Sequence, residues 1–266
     1  MMSDGTAFST LLAQLTGDAD GYAIDLPADW LQGRTAFGGL TAALSVAAAL
    51  RSDADLPPLR SAQVMLAGPA SGPLRLAVQP LRAGKSSRFL SVDVTGDAGF
   101  AARSLLSFGA SRASQIDWQA LPMPPALPPE QAEVFFKAGA GPGFSRHFET
   151  AIAGGARPFQ PTATPELLLW VRHRDVAARQ GLPGLVAVAD TPPAAALVHF
   201  PAPAPFSTMT WSFDLLCDAP QTDDGWWLIQ SRAETITNGY SAQSMTMWNR
   251  AGQPVLVARQ MEALFI

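Results

Sequence analysis

The sequence predicts an α+β protein of two fused modules, each an antiparallel sheet wrapped around one long central helix. Three observations lead there. First, the unit from Gly72 to Phe108 overlays the unit from Gly225 to Met261 without a gap, with Gly72 on Gly225, Ser91 on Ser244 and Ala98-Gly99 on Ala251-Gly252. Identity at that offset is sparse, so the shared pattern of extended segments, turn and final apolar strand carries the duplication. Second, each unit follows an Ala- and Leu- or Val-rich stretch with almost no polar face. Third, the remaining apolar segments are short and closely punctuated by turn residues, the mark of antiparallel hairpins.

In the first half, Gly38-Gly39 opens LTAALSVAAAL (Leu40 to Leu50), a helix buried on nearly every side because no stripe is available for solvent. Arg51-Ser52-Asp53 ends it. Four extended segments follow, Ser61 to Leu66, Pro73 to Leu81, Ser87 to Thr95 and Gly99 to Phe108, joined by Gly68-Pro69, Ala83-Gly84-Lys85 and Gly96-Asp97-Ala98-Gly99. The aperiodic, proline-dense run DWQALPMPPALPP (Asp117 to Pro129) reads as a semi-rigid linker. The expected organisation is therefore a module over 1–115, a linker over 116–143 and a second module over 144–266. In the latter, Pro165 to Ala177 is a strand, Gly184 to about Leu197 repeats the buried helix, and strands follow near Thr208 to Cys217, Trp226 to Thr235, Tyr240 to Trp248 and Val255 to Phe265. A helix that is apolar all round needs a sheet about it, so each half has the form of a hotdog. Edge-to-edge pairing of the two sheets would remove an exposed edge from each.

Composition narrows the function. The chain has 266 residues, 48% of them hydrophobic, enough to fill substantial cores. Its formal charge of −4 and the lack of a dense Lys/Arg stripe exclude nucleic acid as the main partner. The opening MMSDGTAFSTLLAQL carries Asp where a signal peptide carries basic charge, and no run reaches the roughly 20 apolar residues of a membrane span, so a cytoplasmic protein without a membrane span is expected. The single cysteine, Cys217, reads as a small apolar strand residue.

Familiar catalytic signatures are missing. Gly239-Tyr240-Ser241-Ala242-Gln243 lacks the last glycine of a nucleophile elbow and falls between strands. His147, His173 and His199 are scattered without metal-ligand spacing and read as ordinary core or surface histidines, so neither metal nor cofactor is expected. The chemistry left to the chain is that of carboxylate, hydroxyl and amide groups. Gly38-Gly39 at a helix start suits either close packing or polarisation of a carbonyl by the first-turn N–H groups. Asp190 interrupts LVAVADTPPAAAL; on its own it reads as an N-cap followed by first-turn prolines. Thr208 and Gln260 each place a polar side chain on a strand. Singly they are surface positions; together with a helix carboxylate they can orient one water for hydrolysis.

These residues resemble the acyl-CoA thioesterase II family, the double-hotdog thioesterases. The likeness rests on FGGLTAALSVAAAL, on RAGKSSRF (Arg82 to Phe89), and on AETITNGYSAQSMTMWNRAGQPVLVARQ (Ala233 to Gln260), which is similar to the family's closing pattern and terminal Gln. It runs from about Tyr22 to Phe265. The resemblance implies hydrolysis of acyl-CoA to free acid and CoA, with Asp190 as base toward water, Thr208 and Gln260 positioning that water, and the N–H groups of Gly39 and Leu40 polarising the thioester carbonyl. It also implies a homodimer. Three departures stand out: Thr210-Trp211 replaces the family's Asp-His after the Thr, a Pro-Pro pair follows Asp190, and the Asp-to-Thr interval is short. Thr210 therefore competes with Thr208 for the role. The basic hairpin of Arg82, Lys85 and Arg88 is left as a solvated turn. The alternative function is a non-catalytic acyl or acyl-CoA binding protein; a hydratase is weaker, because that chemistry wants a His beside the carboxylate.

Overall fold

The computed structural model describes residues 5–137 and 139–266; the first four residues of the opening run and residue 138 of the linker lie outside the described residues. The chain begins with α1 (Phe8–Ala13), β1 (Thr16–Asp18), β2 (Gly21–Leu26), β3 (Leu31–Gln32) and β4 (Thr35–Ala36). Next come α2 (Gly38–Ser52), β5 (Leu59–Leu66), β6 (Gly72–Ala83), β7 (Ser87–Gly96) and β8 (Gly99–Gly109). The second half supplies β9 (Phe148–Gly155), β10 (Glu166–His173), α3 (Leu182–Ala189), β11 (Phe206–Leu215), β12 (Trp227–Thr237), β13 (Tyr240–Asn249) and β14 (Pro254–Leu264).

Twelve strands form one sheet in the order β1-β2-β6-β7-β8-β5-β11-β14-β13-β12-β10-β9. Its midpoint is the antiparallel β5·β11 pair, with Val64 opposite Trp211 and Ala62 opposite Phe213. The halves thus join edge to edge as expected, and β6, β7, β8 and β5 are matched in order by β12, β13, β14 and β11. The repeated glycines have a common backbone reason: Gly99 at the start of β8 and Gly252 in the turn before β14 hold φ 95° and 84°, left-handed values that a side chain resists.

The two central helices differ. In α2, every residue from Gly39 to Ala49 is buried, and its Ser45 hydroxyl is satisfied by donating to the Thr41 carbonyl at 3.0 Å. The expected second long helix is not formed: α3 stops at Ala189, and a separate 3-10 turn follows at Ala195–His199. Pro192 and Pro193 are the cause. Each lacks an N–H, and each biases the residue before it away from helical geometry. The N-cap reading of Asp190 fails with it, since Asp190 closes α3 at its C-terminal end.

The proline-dense segment is tied to the second module by two indole donors, Trp170 Nε1 to the Leu127 carbonyl at 2.7 Å and Trp248 Nε1 to the Leu121 carbonyl at 2.9 Å. Further on, the Ile152 N–H donates to the Glu133 carbonyl and the Phe135 N–H to the Thr150 carbonyl, so this segment covers the free edge of β9. Cys217 is half-buried just past the end of β11, not within the strand. No helix among the described residues is long and apolar enough to cross a membrane.

Candidate active site

The N-terminus of α2 and the C-terminal end of α3 meet at Gly38, Gly39 and Asp190. A Cβ on Gly39 would stand 2.8 Å from the Asp190 Cβ and 3.0 Å from the Ala187 carbonyl oxygen, so the missing side chain is what lets the two helix ends touch. Close packing and chemistry therefore use the same glycines. The Gly39 N–H faces the Asp190 carboxyl. The other expected carbonyl-polarising donor, the Leu40 N–H, donates to the Phe37 carbonyl at 3.1 Å.

Asp190 is partly buried, with its carboxyl on the cavity wall, and desolvation by the atoms packed around it pushes that carboxyl up to about 7; hydrogen bonds from Gln260 and from the Gly39 N–H oppose the rise. Gln260 Nε2 donates directly to Asp190 Oδ1. Behind it, Gln243 Nε2 donates to Gln260 Oε1 at 2.5 Å, and Gln243 Oε1 accepts the Ala195 N–H at 2.8 Å. Both glutamines lie on the inner face of the sheet, opposite each other in the β13·β14 register.

Thr208 lies one row further along. A bulge between Thr208 and Thr210 resets the alternation of β11, so that Thr208 and Trp211 both face inward while Thr210 is exposed on the other side. Of the two threonines, Thr208 lines the cavity and Thr210 does not. It pairs across the ladder with Glu262, which in turn pairs with Ser241. Glu262 was not legible as a site residue. It is 1% exposed, and burial pushes its carboxyl up to about 8.

Asp190, Thr208, Gln260 and Glu262 all line one cavity of about 760 Å³. Its other walls are largely apolar, with Phe135, Phe136, Phe144, Phe159 and Leu197 among them. Phe159 holds φ 65°, costly for a bulky residue, and its N–H is anchored on the Leu197 carbonyl at 3.0 Å. A second cavity of about 690 Å³ shares Gln32, Gly38, Phe206 and Thr208 with the first and has Arg34 on its wall. The two meet where Gly38 and Thr208 stand.

The histidines are elsewhere. His147 stacks on Trp30 at 3.9 Å with Nε2 3.1 Å from Asp29 Oδ2, His173 Nε2 donates to the Gly184 carbonyl at 3.0 Å, and His199 pairs with the Ala163 carbonyl. Burial holds His173 neutral, near 4. Arg82 and Arg88 line a separate depression beside Asp53. No cluster of three metal-ligating side chains occurs among the described residues.

Fold and site together define a double-hotdog protein with a partly buried carboxyl–amide pair at the end of an apolar cavity. Residues 26–109 match the acyl-CoA thioesterase N-terminal domain and residues 119–263 match the acyl-CoA thioesterase C-terminal domain. The chain belongs to the acyl-CoA thioesterase family. Among solved structures it is similar to a conserved hot dog fold protein of unknown function from Alicyclobacillus acidocaldarius, with TM-score 0.86 and 22% identity over 96% of this chain and 97% of that one. It is also similar to the TesB protein of Mycobacterium avium subsp. paratuberculosis, with TM-score 0.75 and 19% identity over 98% and 100% of the two chains. The acyl-CoA thioesterase II TesB2 of Mycobacterium marinum gives TM-score 0.73 and 16% identity over 95% and 96%. At these identities the likeness is one of fold. No curated protein matches the chain significantly.

Proposed function

We propose that the protein hydrolyses acyl-CoA thioesters to free acid and CoA, with Asp190 as general base toward a water that Gln260 and Thr208 orient. The observation that carries this reading is the Gln260-to-Asp190 hydrogen bond at the end of an apolar cavity. Burial brings the carboxyl to about 7, so near neutral pH a large share is ionised yet basic enough to take a proton from water. The acyl chain lies in the apolar cavity. The pantetheine arm runs through the second cavity toward Arg34, and the thioester sits at their junction. There the first turn of α2 presents backbone N–H groups, and the positive end of the helix favours charge developing on the carbonyl oxygen. Gly39 is the donor for this role, exchanging the carboxyl for the substrate oxygen.

Water attacks the thioester carbon as Asp190 accepts its proton. The tetrahedral intermediate then expels the CoA thiolate, and the proton held on Asp190 leaves with the products. No covalent acyl-enzyme is required. The expected homodimer belongs to the same proposal and is read by sedimentation.

The test is thiol release from a panel of acyl-CoAs by the unmutated chain and by Asp190→Asn. Release that collapses in the variant while its circular dichroism is unchanged supports the hydrolase. No release from any substrate, with retained acyl-CoA binding, supports a non-catalytic binder instead.

A further inference from the structure

The hydrolytic reading uses Asp190, Gln260 and Thr208 and leaves Glu262 without a task. Its position calls for one. Glu262 follows Gln260 by two residues on β14, so both side chains point inward, about 7 Å apart along the strand. Glu262 lines the same cavity, and its Oε2 is buried without a hydrogen-bond partner. Its cross-strand neighbours are both hydroxyl residues, Thr208 on β11 and Ser241 on β13, and the Ser241 hydroxyl faces the carboxyl and opposes the effect of burial without closing a well-formed hydrogen bond to Oε2. Thr208 and Glu262 thus place two polar side chains side by side on the wall of a cavity that is otherwise largely apolar, with Ser241 behind them.

We propose that Glu262 is a specificity-determining residue of this cavity, selecting acyl groups that carry a hydroxyl over plain hydrocarbon chains of the same length. The inference rests on the acyl cavity assigned above. A plain chain seated beside Glu262 leaves the buried carboxyl oxygen without a partner, and an unpaired buried polar group is costly. A hydroxyl on the chain supplies the missing partner. Burial keeps the Glu262 proton on to about pH 8, so at neutral pH the carboxyl both donates and accepts, as a hydroxyl does. Sites built to bond a substrate hydroxyl discriminate strongly against the analogue that lacks it. Because Glu262 lies one strand repeat from Gln260, the favoured hydroxyl is on the part of the chain nearest the thioester.

The experiment compares kcat/KM for pairs of acyl-CoAs that differ by one hydroxyl, moved carbon by carbon along the chain, in the unmutated protein, Glu262→Gln and Glu262→Leu. Calorimetric binding of the corresponding free acids is measured alongside. A preference of about tenfold or more for one hydroxylated isomer, kept in E262Q and reversed in E262L, is the expected result. Equal treatment of each pair by the unmutated protein overturns the proposal, and so does an E262L variant that slows both members of a pair alike. The free-acid titrations separate this inference from the hydrolase reading. Tighter binding of a hydroxy acid that E262L abolishes supports the selectivity even where no thioester is cleaved, whereas equal binding of hydroxylated and plain acids overturns it.

Discussion

Gln243 fixes which end of the Gln260 amide meets Asp190. The Ala195 N–H is only a donor, so Gln243 presents Oε1 to it and turns Nε2 toward Gln260. Gln260 then offers Oε1 to Gln243 and Nε2 to the carboxyl. A backbone group in the turn after α3 thereby sets the polarity of the chain of amides that ends on Asp190.

Breaking that chain at its second member tests it. Gln243→Leu frees Gln260 to flip, which withdraws the donor that holds the Asp190 carboxyl down. The expected outcome is a fall in kcat of about tenfold or more with little change in KM, and a pH–rate profile displaced to higher pH. Gln243→Glu restores neither, because a carboxylate has no N–H for Gln260.

Hydrolysis is expected to rise with pH through about 7, as Asp190 loses its proton and becomes a base. The check is kcat/KM against pH at constant ionic strength. Asp190→Asn has no such limb.

Stability follows the opposite course. An unfolded Asp releases its proton near 4, while folded Asp190 holds it to about 7. Across that window the unfolded chain binds fewer protons, so stability falls as pH rises, and the loss is complete above 7. Asp190→Asn removes the titration and is expected to be more stable than the unmutated chain at pH 8, by up to about 4 kcal/mol in chemical denaturation. Glu262→Gln behaves alike, with its window reaching to about 8.

Much of the fold was legible, and for identifiable reasons. The hairpins of β6 to β8 and β12 to β14 are bounded by turn residues, with Gly99 and Gly252 held in backbone that favours glycine. The second central helix was read too long because LVAVADTPPAAAL is apolar throughout, and hydrophobicity outweighed the prolines that stop α3 at Ala189. The strand β9 escaped notice because FETAIAGG is short and made mostly of small residues. Asp190, Thr208 and Gln260 came from the family resemblance; composition alone favoured a cap and two surface positions. Gln243 and Glu262 were missed because a polar residue on a strand looks the same whichever face it occupies. The bulge at β11, which reverses that alternation beside Thr208, leaves no mark in the residue types.

The bulge gives a paired test. Thr208→Val removes the hydroxyl from the cavity wall and is expected to lower kcat by about tenfold to a hundredfold, while Thr208→Ser retains most activity. Thr210→Val, on the exposed face, leaves steady-state rates unchanged.

Gly39→Ala tests the contact between the helix ends. Its added methyl meets the Asp190 Cβ, the Phe37 ring and the Ala187 carbonyl within 3.0 Å, so the helices must part. A stability loss of about 1–3 kcal/mol in thermal or urea unfolding is expected, with a fall in kcat.

The direct test of Asp190 as a base, and not a nucleophile, is one turnover with enzyme in excess over acyl-CoA in water labelled with heavy oxygen. The mechanism predicts the label in the released acid and none in the peptide that contains Asp190. Label in the Asp190 carboxyl would mean that the side chain itself attacked the thioester, contradicting the proposed direct attack by water.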